Sequence, residues 1–170
     1  YYYVTPGHQV PTGVAMSKAR RSQLLEHAAR HDAVIIEDDY DSESNFMLNP
    51  LPALKASDRC GRVIYVSSLS KALSPGLRLG FMVADPDLID EARALRRLVY
   101  RHPPTNIQYQ MAHFLAQGHY ETHLRRYHYD SAQRWERLNN ALRQHLPECQ
   151  IIPGSEHANA FWLATPEQIN

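Results

Sequence analysis

The sequence predicts an α/β fold: helices packed on both faces of a mostly parallel sheet, an α/β/α sandwich, followed by the start of a second, smaller domain. Two observations carry this. Short apolar runs of strand length alternate with stretches of helical periodicity, and a cluster of polar, Gly or Pro residues follows each of the first runs. With 44% hydrophobic residues in 170, the chain can bury a core of one domain or slightly more.

The elements follow in order. Tyr1–Val4 reads as a strand, and Thr5–Gly13, with Pro6, Gly7, Pro11 and Gly13, as a loop. Ser17–Arg30 reads as a helix, with Leu24, Leu25, Ala28 and Ala29 toward one face. Ala33–Glu37 is a short apolar run bounded by polar residues, hence a buried strand, and Asp38–Pro52 an irregular loop. Arg62–Ser67 and Leu79–Ala84 are the next strands. Asp85-Pro86 starts a helix, with Asp as N-cap and Pro at the first helical position, which then carries Leu88, Ile89, Ala92, Leu95 and Val99. A further helix runs from Thr105 to Gln117 and stops at Gly118. A long helix spans Tyr120 to Leu146, with the stripe Leu124, Tyr127, Ser131, Trp135, Leu138, Leu142 and Leu146. Cys149–Ile152 and Ala160–Ala164 read as the first strands of a second domain. The expected division is therefore 1–119, a large domain; 120–146, a connecting helix; and 147–170, the start of a small domain.

Composition narrows the function. Eighteen basic and eighteen acidic side chains give zero net charge, which argues against a general nucleic-acid binder. Cys60 and Cys149 have neither metal-ligand nor disulfide-framework spacing. No apolar run approaches the ~20 residues that span a bilayer, and the N-terminus lacks the pattern of a signal peptide, so a cytoplasmic protein is expected. Both ends read as cuts through a longer protein. The ten histidines are scattered. His119 and His123 have the four-residue spacing of a helical metal pair, but no third ligand is evident and solvated or capping roles are expected. Arg125, Arg126, Arg134 and Arg137 are expected on the exposed face of the long helix, and Tyr127 and Trp135 in its core.

Three polar clusters, TPGHQVPTG, EDDYDSE and SSLSKALSPGLRLG, each follow a strand, and in a parallel sheet all three lie on one rim. That rim offers an amine at Lys71, an acid among Asp38, Asp39 and Asp41, a phenol at Tyr40, and a hydroxyl with a guanidinium at Ser68 and Arg78. Singly, each is what a solvated loop contains. Together they are what pyridoxal 5′-phosphate (PLP) requires: a lysine for an imine, an acid for the pyridine nitrogen, a donor for the phenolate oxygen and a clamp for the phosphate.

These segments, with RRSQLLEHAARH and HLRRYHYDSAQRWERL, resemble the aminotransferase-like domain of MocR/GntR-type transcriptional regulators, a branch of the fold type I PLP proteins. SLSK with GLRLG is common to many aminotransferases; TPGHQVPTG and EDDYDSE point more narrowly to the regulators. The resemblance implies that Lys71 forms the Schiff base, Asp38 partners the pyridine nitrogen, Tyr40 donates to the phenolate oxygen, and Ser68, Ser70 and Arg78 hold the phosphate. Lys71, Asp38 and Tyr40 would be the catalytic set of an active transaminase. One departure stands out: Val10 occupies a position where aminotransferases commonly carry Asn, leaving His8 or Gln9 as substitutes. The resemblance further implies an amino acid or amine as effector or substrate, a homodimer in the intact protein, and DNA contact only through a domain outside this chain. Effector sensing is the expected function. The alternative is a catalytically active aminotransferase acting on an amino acid and a 2-oxo acid, and a third reading is an interaction fragment with a decayed site.

Overall fold

Three parallel strands and one antiparallel strand form the sheet around which the chain is built. The computed structural model describes residues 1–41, 43, 51–102, 104–152 and 160–166. Strands β1 (Tyr2–Val4), β2 (Ile35–Asp39), β3 (Val63–Ser68) and β4 (Gly80–Val83) lie in the order β1-β2-β3-β4. The first three are parallel, and β4 runs antiparallel to β3. Around them lie helices α1 (Lys18–Arg30), α2 (Leu54–Ser57), α3 (Pro86–Tyr100), α4 (Thr105–Ala116) and α5 (His119–His145). A separate antiparallel pair, β5 (Gln150–Ile151) and β6 (Leu163–Ala164), follows α5. The expected strands and helices are all present within a residue or two, except that the last strand begins at Leu163 rather than Ala160. Part of the expected loop, residues 44–50, and His157 fall outside the described residues.

Local chemistry explains the element starts. Ser17 Oγ accepts from the Arg20 amide at 3.4 Å to cap α1, and Asp85 accepts from the Asp87 amide at 3.0 Å to cap α3, with Pro86 following. Helix α2, which the sequence pattern does not announce, is capped from a distance. The Glu37 carboxylate, on β2, accepts from the amides of Leu54 and Lys55 at 2.7 and 2.9 Å. Glu37 is fully buried, and that burial raises its pKa against the opposing pull of the two amides.

Strand register sorts the side chains by face. Cα partners Tyr3 and Ile36, and Asp38 and Val66, share one face with Ser68, two residues on. Ile35, Glu37, Asp39, Val63, Tyr65 and Ser67 share the other. Ile35 and Val63 join Ala28 and Leu54 in the buried core, with Val4, Leu24, Leu25 and Ala33 around them. Helix α1 therefore covers the face opposite Asp38. The apolar stripe of α3 is not covered in the same way: Leu95 and Val99 are 63% and 61% exposed, because the described chain places no element over them. On α5, Tyr127 and Trp135 are half-buried, Trp135 stacking on Phe161 at 5.2 Å, while the four arginines face outward.

Arg21 and Asp58 fasten the loops. The buried Arg21 guanidinium donates to the carbonyls of Met16 (2.9 Å), Pro52 (2.6 Å) and Pro6 (2.7 Å). Asp58 accepts from the amides of Cys60, Arg62 and Val63 and from Lys55 Nζ, all within 3.1 Å. Burial opposes ionisation of Asp58, but these donors together outweigh it and hold its pKa below the ordinary value. A carboxylate depressed on folding stabilises above its unfolded pKa, and that contribution is lost as pH falls through the folded value. Asp58→Ala should thus cost about 2 kcal/mol at neutral pH. The gap between variant and wild type should close in strong acid, as read by urea melts at both pH values. A gap unchanged in acid would contradict the role given to the carboxylate.

Candidate functional site

Because β1, β2 and β3 are parallel, the loops after them meet on one rim of the sheet. Lys71 sits on a turn just beyond β3. The Leu73 amide donates to the Leu69 carbonyl at 3.2 Å and the Leu69 amide to the Leu79 carbonyl at 3.0 Å. Leu69 and Ala72 are buried, so the turn directs Lys71 outward between them. Its ammonium lies 4.2 Å from the centroid of the Tyr40 ring, a cation–π contact, and 3.7 Å from Asp41 Oδ1.

Asp38 and Asp39 leave β2 on opposite faces, and their partners differ accordingly. The Asp38 carboxylate accepts a hydrogen bond from the Tyr3 hydroxyl, the only side-chain hydrogen bond it makes among the described residues, so one carboxylate oxygen stays open. That bond, with burial and the Asp38 charge, raises the Tyr3 pKa. Asp39 is engaged on the α1 side, where the Tyr65 hydroxyl donates to its carboxylate at 2.9 Å and the Ser67 hydroxyl to its carbonyl at 2.8 Å. The Tyr40 hydroxyl donates to the His8 carbonyl at 3.0 Å. Burial raises the Tyr40 pKa, with the charges of Asp41, Asp38 and Asp39 adding to it, so this phenol keeps its proton and serves as a donor.

Ser68 and Ser70 share the turn, the Ser70 amide donating to Ser68 Oγ at 3.2 Å. Arg78 stands apart. It closes a short 3-10 turn (Pro75–Leu77) with φ 48° and ψ 39°, a left-handed conformation that a non-glycine residue adopts at a cost of about 1 kcal/mol. Its side chain is exposed and makes no hydrogen bond or ion pair among the described residues. The rim thus gathers Lys71 with Tyr40, sets Asp38 and Ser68 on one face, and leaves Arg78 with an open guanidinium.

Four further residues join this site: His8 and Asp41, which the motifs offered only as alternatives, and His123 and His128, which they left without a role. His8 Nδ1 lies 3.2 Å from Asp41 Oδ2. His123 and His128, on α5, place Nε2 at 2.6 Å from the carbonyls of Ala72 and Glu43, pinning the loops after β3 and β2 to the helix. Tyr120, also on α5, lies half-buried beside the Glu43 carboxylate, and both pKa values rise, chiefly through burial. His123 is therefore an anchor, and among the described residues no three His, Cys, Asp or Glu side chains group to hold a metal ion. At the Val10 position the neighbours diverge: His8 enters the rim, while Gln9 is occupied by Thr5 Oγ1 at 2.8 Å.

Comparison with known proteins decides the family. The model for aminotransferase class I and II matches residues 4–168. The chain belongs to that family. It is similar to the HTH-type transcriptional regulator TauR of Rhodobacter capsulatus, with 38% identity over 98% of this chain and 34% of that protein. It is 40% identical to a probable rhizopine catabolism regulatory protein, MocR, of Rhizobium meliloti, over 88% of this chain and 30% of the relative. Among solved structures, the Pyrococcus horikoshii kynurenine aminotransferase superimposes with a TM-score of 0.88 and 31% identity, over 98% of this chain and 41% of that one. The chain thus spans about a third of the length of the curated regulators it matches. Its architecture, an α/β unit with a mostly parallel sheet, is that of the fold type I PLP-dependent aminotransferases. Among the described residues no helix is long and apolar enough to cross a membrane.

Proposed function

We propose that this chain is the lysine-bearing part of a PLP-binding, effector-sensing domain in a MocR-type transcriptional regulator, with Lys71 holding the cofactor as a Schiff base. The observation that carries this is the Lys71 amine poised over Tyr40, on the rim where the strand bearing Asp38 ends. The likeness to TauR and MocR supports the regulatory half of the reading.

The donor set fits the cofactor. Lys71 would supply the amine, the open oxygen of Asp38 would face the pyridine nitrogen, and Tyr40, kept protonated by its surroundings, would donate to the phenolate oxygen in exchange for its bond to the His8 carbonyl. Ser68, Ser70 and Arg78 hold the phosphate, and the backbone strain at Arg78 is of the kind that collects at binding sites. When bound, PLP supplies an aldehyde that condenses with amines and a protonated ring that withdraws electrons from them. An amino acid or amine is then the ligand, and the response is a shift between conformations of the parent protein. In this reading residues 1–119 belong to the large domain, 120–146 connect, and 147–170 begin the small one. DNA is met through another part of a cytoplasmic, homodimeric parent.

Arg78→Ala should weaken PLP binding by about 1–3 kcal/mol, the worth of charge-assisted hydrogen bonds to a phosphate. Fluorescence titration of PLP measures it, and an unchanged affinity would remove Arg78 from the phosphate site. A second reading, an active aminotransferase, is favoured by the likeness to the Pyrococcus enzyme. Incubating the PLP-loaded parent protein with amino acids separates the two. A change in domain arrangement by small-angle scattering without release of a 2-oxo acid supports the regulator; stoichiometric or catalytic release of one supports the enzyme.

A further inference from the structure

We propose that Asp41 is a positioning residue that holds the Lys71 amine in place and ties together the three loops of the rim, an inference that rests on the role given to Lys71 above. Only 2% of the Asp41 side chain is exposed, yet its two carboxylate oxygens serve different loops. Oδ2 lies 3.2 Å from His8 Nδ1, in the loop after β1, and Oδ1 lies 3.7 Å from Lys71 Nζ, in the turn after β3. A carboxylate this deeply buried is costly unless paired, so the arrangement of its partners is strongly specified.

Asp41, His8 and Tyr40 build the seat under the amine. Tyr40, the neighbour of Asp41, fixes its ring by donating to the His8 carbonyl and by lying near-parallel to the His8 ring, 23° between planes. Lys71 therefore meets a carboxylate on one side and an aromatic face on another. A lysine side chain carries about 2 kcal/mol of rotamer entropy, and half of this one is exposed. Without those two contacts it would sweep the rim. Asp41 is thus suited to an aiming role that Asp38, held by Tyr3 on its own face, does not share.

The chain's three lysines, Lys18, Lys55 and Lys71, allow an internal comparison in PLP-free protein. Acetylation by acetic anhydride at fixed pH, read by peptide mass spectrometry, compares how freely each amine meets the reagent. Asp41→Asn removes the anion that holds the ammonium, so the Lys71-to-Lys18 labelling ratio should rise about two- to fivefold, the scale of a half-exposed ion pair. Asp41→Glu, which keeps the charge, should return the ratio toward wild type. An unchanged ratio in Asp41→Asn overturns the proposal. So does a rise shared equally by Lys18 and Lys55, which would make Asp41 a fold residue only. Borohydride trapping of PLP on wild-type Lys71, run alongside, tests the prior reading separately: its failure would reject Lys71 as the cofactor lysine while leaving the labelling result to judge Asp41.

Discussion

Replacing Lys71 by alanine should abolish covalent capture of PLP, if this lysine holds the cofactor as proposed above. The turn that presents Lys71 is fixed by buried Leu69 and Ala72 and by the His123 contact to the Ala72 carbonyl, none of which involves the lysine side chain. The variant should therefore keep its fold, with His8 still paired to Asp41, and lose the amine together with its contact to that carboxylate. Neither other lysine can replace it: Lys18 opens α1, and Lys55 is paired with Asp58 at 3.1 Å in α2. The visible absorbance band of lysine-bound PLP should vanish. Residual cofactor, held by Asp38, Tyr40 and the phosphate contacts alone, should bind reversibly and at least about tenfold more weakly, a loss of about 1.4 kcal/mol or more. Absorbance and equilibrium dialysis read the two effects, and a band that survives in Lys71→Ala would transfer the role to another group.

Arg21→Ala should be the most destabilising single change away from the rim, at about 3 kcal/mol. One guanidinium serves three backbone carbonyls, those of Pro6, Met16 and Pro52, and two of its nitrogens reach segments 15 and 31 residues away. Burial lowers the Arg21 pKa, with Glu37 and Asp39 opposing, yet an arginine stays charged throughout the accessible pH range. Truncation strands three acceptors at once. Arg21→Lys should recover little, because a single ammonium cannot span the fork. Pro6 lies two residues before His8, so the loss should also loosen the loop that reaches Asp41. Urea denaturation measures the cost; a change below about 1 kcal/mol would mean that water satisfies these carbonyls without help.

The sequence pattern made the frame legible and left the interlocks hidden, for a physical reason. Strand and helix positions follow from local periodicity and caps, so Asp85-Pro86 and Ser17 mark their helices as expected. The shared rim follows from parallel order alone, and strand alternation separates Asp38 from Asp39. Side-chain ties between segments far apart in the chain leave no such trace. Helix α2 depends on Glu37, seventeen residues before it. Asp41 lies past the end of β2, where alternation no longer predicts direction, and its partners His8 and Lys71 come from two other loops. His123 and His128 looked like scattered histidines until α5 was laid across the loops they hold. For His123 a solvated or capping role is the expectation despite its four-residue step from His119, and the 2.6 Å contact to Ala72 gives it a structural partner.

Whether Lys71 Nζ is the nitrogen that captures PLP can be measured directly. The chain is mixed with PLP, reduced with borohydride, digested, and the peptides are mapped by mass spectrometry. One phosphopyridoxyl group on the peptide containing Lys71, with Lys18 and Lys55 unmodified at stoichiometric cofactor, is the predicted result. Modification spread over all three lysines, or absent from Lys71, would contradict it.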